Sequence, residues 1–400
     1  MKCKRIFVCL IGVCMMLITT ACKNPDDGNK PVKPPPEESE YTSLFSDKTF
    51  KKGFTVRGLG NTIYDDPVET FGNNKTDPTG RGTRFQYGAD GLENESLGKP
   101  EWNLAQWATR YPIHDWSNAH YDARKNDSFN SRPTENPFDY RYTVLSAEQY
   151  LYENRSKFLM VDTKTGEYTL DLKTSECYKT PRKDGEEWPH WIIEKHFGRD
   201  GTPPVETKVS ASKSLRVKMD VRLDAFKSNY ADYPTDAERN AENPVRHSAM
   251  SVFYLYISNY EPRTGSFTDM LWFGLPVFDN RYTFTTAQSF PDVGSKGSAT
   301  EKWIYNIATT EFFDLNNNLY DADGKMILDQ WKSIDVELIP HIKMALAEAQ
   351  RNGYMKNAKW ENLYVNGMYN GFEVPGSYDI RMSYKNMDVL SAVDDELNED

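Results

Sequence analysis

The chain has 400 residues and a formal net charge of −11, which argues against nucleic acid as a partner because phosphate backbones need a basic footprint. Its 24 tyrosines and 20 phenylalanines provide enough apolar surface for a folded body and argue against global disorder. The length allows two average domains, although β-rich domains often exceed 200 residues as one unit.

The chain begins with Lys2, Lys4 and Arg5, then an apolar run from Ile6 to Ile18, too short to span a bilayer as a helix. Thr19, Thr20 and Ala21 follow, so residues 1–21 read as a secretory signal. Losing their three positive charges takes the net charge from −11 to −14. The segment Ile18-Thr19-Thr20-Ala21-Cys22 resembles the lipobox of bacterial lipoprotein precursors. It departs from that pattern at Thr19, where the family prefers Leu, Val or Ile. The resemblance implies that Cys22 becomes the acylated first residue and holds the chain to a membrane, at the cell surface or facing the periplasm. The alternative is an ordinary cleaved signal followed by a chance cysteine. With Cys3, Cys9 and Cys14 in the signal, only Cys22 and Cys177 remain. This excludes an intrachain disulfide framework if Cys22 is lipidated, and it excludes a Cys-rich zinc site.

Residues 22–43 are polar and proline-rich and predict an extended, hydrated linker. The remainder, residues 44–400, reads as a single large β-sandwich domain. Period-two alternation predicts strands at Trp102–Trp107, Phe158–Asp162, Glu167–Leu172, Leu215–Leu223, Phe253–Ile257, Leu271–Leu275, Trp303–Ile307 and Tyr378–Tyr384. Thr163-Lys164-Thr165-Gly166 predicts a hairpin turn. One segment, residues 337–352, has helical spacing instead, with Pro340 near its start and Gly353 just past its end. The polar stretches 72–100, 114–137 and 229–246 read as long loops. The expected fold is therefore mostly β, an antiparallel two-sheet jelly-roll sandwich with one packed helix.

The most informative stretch is His190-Trp191-Ile192-Ile193-Glu194-Lys195-His196. As a strand it turns His190, Ile192, Glu194 and His196 to one side and Trp191 and Ile193 to the other. Three titratable groups then share a face, suited to contacting a saccharide or, with imidazole and carboxylate, to holding a metal. A polar outer face or a satisfied core histidine is the plainer alternative. Tyr254, Tyr256 and Trp272 lie opposite the aliphatic side of their strands and are candidates for stacking on sugar rings, or for core packing. Arg281 could clamp a carboxylate, but Asp279 two residues away is its nearer partner. Arg216, Lys218 and Arg222 form a basic patch with Asp220 among them, which reads as a solvated face. Asp314, Asn316 and Asn318 resemble part of a calcium loop, but Leu319 replaces the required glycine and Lys325 the bidentate glutamate. A looser calcium site at Asp314, Asn316 and Asn318 stays open, and no other resident cofactor is expected.

The alternating strands, long loops and aromatic load together resemble the concanavalin A-like sandwiches, shared by lectins, endoglucanases and polysaccharide lyases. The chain lacks the Glu-x-Asp-x-x-Glu strand of laminarinase-like hydrolases and the Gln-Ile-His or Gln-Val-His strand of alginate-lyase-like enzymes. The resemblance therefore implies a polysaccharide or glycan partner but transfers no catalytic residue. The leading expectation is a surface lipoprotein that binds carbohydrate. The alternatives are a polysaccharide lyase or glycoside hydrolase using the same sheet face, and a structural or adhesion lipoprotein that contacts protein.

Overall fold

Seventeen strands lie among the described residues of the computed structural model, which are 35–57, 84–85, 100–107, 140–197, 203–293 and 300–394. The signal pattern, Cys22 and most of the loops expected over 72–100 and 114–137 lie outside them. In chain order the strands are β1 (Thr42–Ser43), β2 (Phe54–Arg57), β3 (Arg84–Phe85), β4 (Trp102–Trp107), β5 (Tyr140–Ser146) and β6 (Gln149–Asn154). Then come β7 (Lys157–Asp162), β8 (Glu167–Lys173), β9 (His190–His196), β10 (Ser212–Ser228), β11 (Met250–Glu261) and β12 (Ser266–Asp279). The last five are β13 (Gln288–Pro291), β14 (Trp303–Asn306), β15 (Lys332–Glu337), β16 (Leu363–Glu373) and β17 (Tyr378–Val393).

They form two sheets packed as a sandwich. The first runs β15-β10-β17-β8-β7-β6-β5, with β1 also pairing with β17. The second runs β13-β14-β12-β11-β16-β9-β4-β2-β3. Pairing is antiparallel except between β12 and β14 and between β2 and β4. The alternation expected from sequence is what fills the interior. In β10, Leu215, Val217, Met219, Val221 and Leu223 are buried while Arg216, Lys218, Asp220 and Arg222 face outward. Across the core stand Phe253, Leu255 and Ile257 of β11, Leu271, Phe273 and Leu275 of β12, and Trp191 and Ile193 of β9. Each such side chain contributes about 1.5–3 kcal/mol by leaving water. With both inner faces occupied, the outer faces are left for polar work.

The expected helix is present as Ile339–Arg351, with Pro340 in its first turn and Ile342, Ala345, Leu346 and Ala349 buried. Gly353 follows it at φ 87°. Single-turn helices at Thr174–Cys177 and Asp236–Arg239 also occur, the second within the 229–246 stretch expected as a loop.

The segment expected as a linker up to Ser43 is docked over its last residues. Glu38 pairs with Arg216 and Lys218, and Glu40 with Lys213. Thr42 and Ser43 then add to the edge of β17 at Ser391 and Leu390. The cations of β10 that read as a basic patch are thus neutralised, also by Asp335 and Asp224. Further on, Glu101 ties the N-terminal segment to the second sheet. Its carboxylate accepts from Lys195 Nζ of β9 at 2.6 Å and also from Lys52 and Ser46. Burial pushes the Glu101 carboxyl up, but these three donors outweigh it and hold it at about 2.

A carboxylate whose folded-state value lies below its ordinary 4.5 stabilises the fold above that value and loses the contribution as pH falls towards 2. Stability measured by urea unfolding between pH 5 and 2 should fall by up to about 3 kcal/mol from this group. In Glu101→Gln that part of the slope should disappear.

Candidate functional site

The outer face of the second sheet carries the titratable groups singled out from the sequence. On β9, Trp191 and Ile193 are fully buried against the first sheet, which forces His190, Ile192, Glu194 and His196 to the opposite side. Lys195 points inward with the apolar pair, and Glu101 compensates its charge.

Strand register arranges this face in rows running across the strands. The first row is His190 of β9, Glu373 of β16, Met250 of β11 and Asp279 of β12. The second is Ile192, Gly371, Val252 and Pro276. The third is Glu194, Tyr369, Tyr254, Gly274 and, on β14, Asn306. The fourth is His196, Gly367, Tyr256, Trp272 and Ile304. Successive rows are two residues, about 7 Å, apart along each strand, except that a bulge on β12 puts three residues between Asp279 and Pro276. His190 and Asp279, far apart in sequence, are thereby brought to one end of the face, with Arg281 beside Asp279.

Glu194 is held by two groups. Its Oε1 accepts from Tyr256 Oη at 2.8 Å and lies 2.9 Å from His196 Nε2. Tyr256 stands two strands away from Glu194, and it reaches because β16 carries Gly367 between them. A Cβ on Gly367 would fall 2.7 Å from Tyr256 Cδ2. The same device recurs at Gly274, where a Cβ would meet the Tyr254 ring at 2.5 Å and Asn306 Oδ1 at 2.1 Å.

Glu373 is the second carboxylate, and it was not among the residues singled out from the sequence. Tyr369 Oη donates to it at 2.7 Å, Trp188 Nε1 lies at 3.5 Å and His190 Nε2 at 3.6 Å. Burial pushes its carboxyl up, but His190, Tyr369 and Trp188 more than offset that and hold it below the ordinary 4.5. It is therefore ionised at neutral pH. His190 Nδ1 is 2.8 Å from the Trp188 carbonyl, an acceptor, so Nδ1 carries a proton there. The indole of Trp188 stacks beside His190 at 5.7 Å and is capped by Arg182 at 5.3 Å.

The register fixes how far apart the carboxylates lie. Glu194 faces Tyr369 and Glu373 faces His190, so four residues of strand, about 13 Å, separate their positions. Glu194 leans towards His196, away from Glu373. Asp279 is closer to Glu373, two strand spacings or about 10 Å along one row. However, Arg281 engages Asp279 at both oxygens, Nε at 2.8 Å and Nη2 at 2.5 Å.

The aromatic candidates form one cluster. Trp272 meets Tyr254 at 6.2 Å and 78°, Tyr256 at 4.8 Å and 88°, and Tyr369 at 5.8 Å and 68°. These are edge-to-face contacts, the geometry aromatic rings adopt when packed on each other. Tyr254 and Tyr256 are buried, whereas Trp272, Tyr369 and Trp188 keep partial exposure. The outer members, with the polar rim, are the ones able to meet a ligand.

The calcium-like loop is put to structural use. Asp314 Oδ1 accepts the backbone N–H groups of Asn316 and Asn317. Asn318 is buried and donates to the Thr283 carbonyl at 3.2 Å. Among the described residues no group of three His, Cys, Asp or Glu is placed to hold a metal ion.

No family model and no curated protein matches this chain. Among solved structures, an endoglucanase from Rhodothermus marinus is 9% identical, with 62% of this chain and 93% of that chain covered and a TM-score of 0.32. A family 12 xyloglucanase from Bacillus licheniformis is 10% identical, covering 63% and 96%, at 0.30. The xyloglucanase domain of a type three effector from Sinorhizobium fredii is 9% identical, covering 63% and 96%, at 0.29. TM-scores near 0.3 carry nothing about this chain's activity.

Gly367→Ala should force Tyr256 off Glu194 and destabilise the fold by about 1–3 kcal/mol. A Cβ there also falls 2.8 Å from the Lys195 carbonyl, so in a Tyr256→Ala background the same substitution should cost less but not nothing. A double-mutant cycle in urea checks this; fully additive costs would show that the Lys195 carbonyl alone, and not Tyr256, requires the glycine.

Proposed function

We propose that this protein binds glycan on the outer face of the second sheet, through Trp188, His190, Trp272, Tyr369, Glu194 and Glu373. One observation carries this reading. Two carboxylates, each fixed by a tyrosine hydroxyl and an imidazole, stand on one sheet face beside partly exposed aromatic rings. Sugars offer apolar C–H faces to aromatic rings and hydroxyls to carboxylates, and such a surface supplies both. Pre-organisation matters here, because side chains already held in place lose little entropy on binding.

A second reading, glycoside hydrolysis on the same face, is favoured by the row that places two carboxylate residues, Glu373 and Asp279, two strands apart on one face. Against it, Asp279 is spent on Arg281. The N-terminal pattern ending at Cys22 supports export and lipid anchoring, so the glycan would be met outside the cytoplasm.

Affinity electrophoresis of the full chain through gels carrying a panel of polysaccharides tests the reading. At least one glycan should retard the protein. Glu373→Gln and His190→Ala should each weaken that retardation about tenfold or more, with unfolding midpoints checked separately. Retardation unaffected by both substitutions would place the site elsewhere. Release of reducing ends from the bound glycan, lost in Glu373→Gln, would promote the hydrolytic reading.

A further inference from the structure

Apart from two histidines, each beside a carboxylate, the charged side chains at the outward positions of the central strands are of one sign. On β9, β16, β11 and β12 the outward positions are His190, Ile192, Glu194 and His196; Gly367, Tyr369, Gly371 and Glu373; Met250, Val252, Tyr254 and Tyr256; and Trp272, Gly274, Pro276 and Asp279. Three are carboxylates and none is lysine or arginine. Among the described residues beyond β12, Arg281 has its fork already occupied, and Lys302 is paired with Asp269. Arg281 donates to both oxygens of Asp279 and to the Pro244 carbonyl at 3.2 Å, with Met250 Sδ 3.6 Å from Nη2. Arg182, over Trp188, is likewise committed, to the carbonyls of Pro375, Glu186 and Arg246 at 2.7–2.8 Å.

From this geometry we infer that the face selects neutral glycans and rejects uronate-containing ones, an inference that rests on the glycan-binding reading above. A uronate carboxylate laid across these rows meets Glu194 on one side and Glu373 on the other. It finds no unengaged guanidinium among the described side chains of these strands. Glu373, held below the ordinary carboxylate range, keeps its charge at neutral pH. Like charges at contact distance in a half-buried site repel by far more than in bulk water. A neutral sugar instead offers hydroxyl donors to the same two carboxylates. The walls that accept a neutral chain therefore exclude an acidic one, and the same residues supply attraction and rejection.

A matched pair of polymers tests this: polygalacturonate and its carboxyl-reduced counterpart, alongside neutral glucan, xylan and mannan, with the full chain at fixed ionic strength. Selection is supported if a neutral polymer retards the protein while the uronate form binds at least tenfold more weakly. It is further supported if Glu373→Gln or Glu194→Gln narrows that gap severalfold by tightening the binding of the uronate form itself. Equal or tighter binding of the uronate overturns the selection and leaves the glycan reading intact. A gap that both substitutions leave unchanged also overturns it, because the chain's overall net charge of −11 would then be responsible rather than this face. If no polymer retards the protein, both readings fall.

Discussion

The bond from Tyr256 to Glu194 crosses a whole strand, and the candidate site depends on that crossing. It exists because β16 carries Gly367 where any side chain would stand in the path of the ring. A hydrogen bond to a buried carboxylate contributes about 1.5–3 kcal/mol, and its loss would leave a charge to be compensated. The tyrosine in turn is edge-on to Trp272, which packs against Tyr254 and Tyr369. Tyr369 continues the chain of contacts to Glu373, which meets His190. The two carboxylates are therefore ends of one packed network, not isolated acids on a surface.

That network is possible because the core does not use this face. Trp191, Ile193, Phe253, Leu255, Leu271 and Phe273 take the inner positions and are fully buried there. Strict alternation then delivers their neighbours outward. The charged outer face of β10 in the first sheet is used differently, to hold Glu38 and Glu40 of the incoming chain. The first sheet thus receives residues 38–43, and the second carries the candidate site on its outer side.

Much of this was legible in the sequence, for a physical reason. A strand buried on one side writes its face into period two, so the split of His190, Glu194 and His196 from Trp191 and Ile193 needed no structure. The Asp279–Arg281 pair was legible because both residues are local to one turn. Glu373 and Tyr369 were not. Their strand, Leu363–Glu373, has glycine at positions 367 and 371, which interrupts the hydrophobic alternation while serving close approach. Register between distant strands, which sets Glu373 across from His190, is invisible to local pattern. The docking of Glu38 to Ser43 was missed because a polar, proline-flanked stretch reads as hydrated when its ion-pair partners lie some 170 residues away.

What favours recognition over cleavage is that every carboxylate of the face is already engaged, Glu194 by Tyr256 and His196, Glu373 by Tyr369 and His190, and Asp279 by Arg281. The most direct test of the central claim is a crystal structure of the protein with a neutral oligosaccharide of about six residues. The account predicts sugar density on the outer face of the second sheet, against Trp272 and Tyr369, with hydroxyls on Glu194 or Glu373. Sugar bound at any other surface, with this face empty, would contradict it.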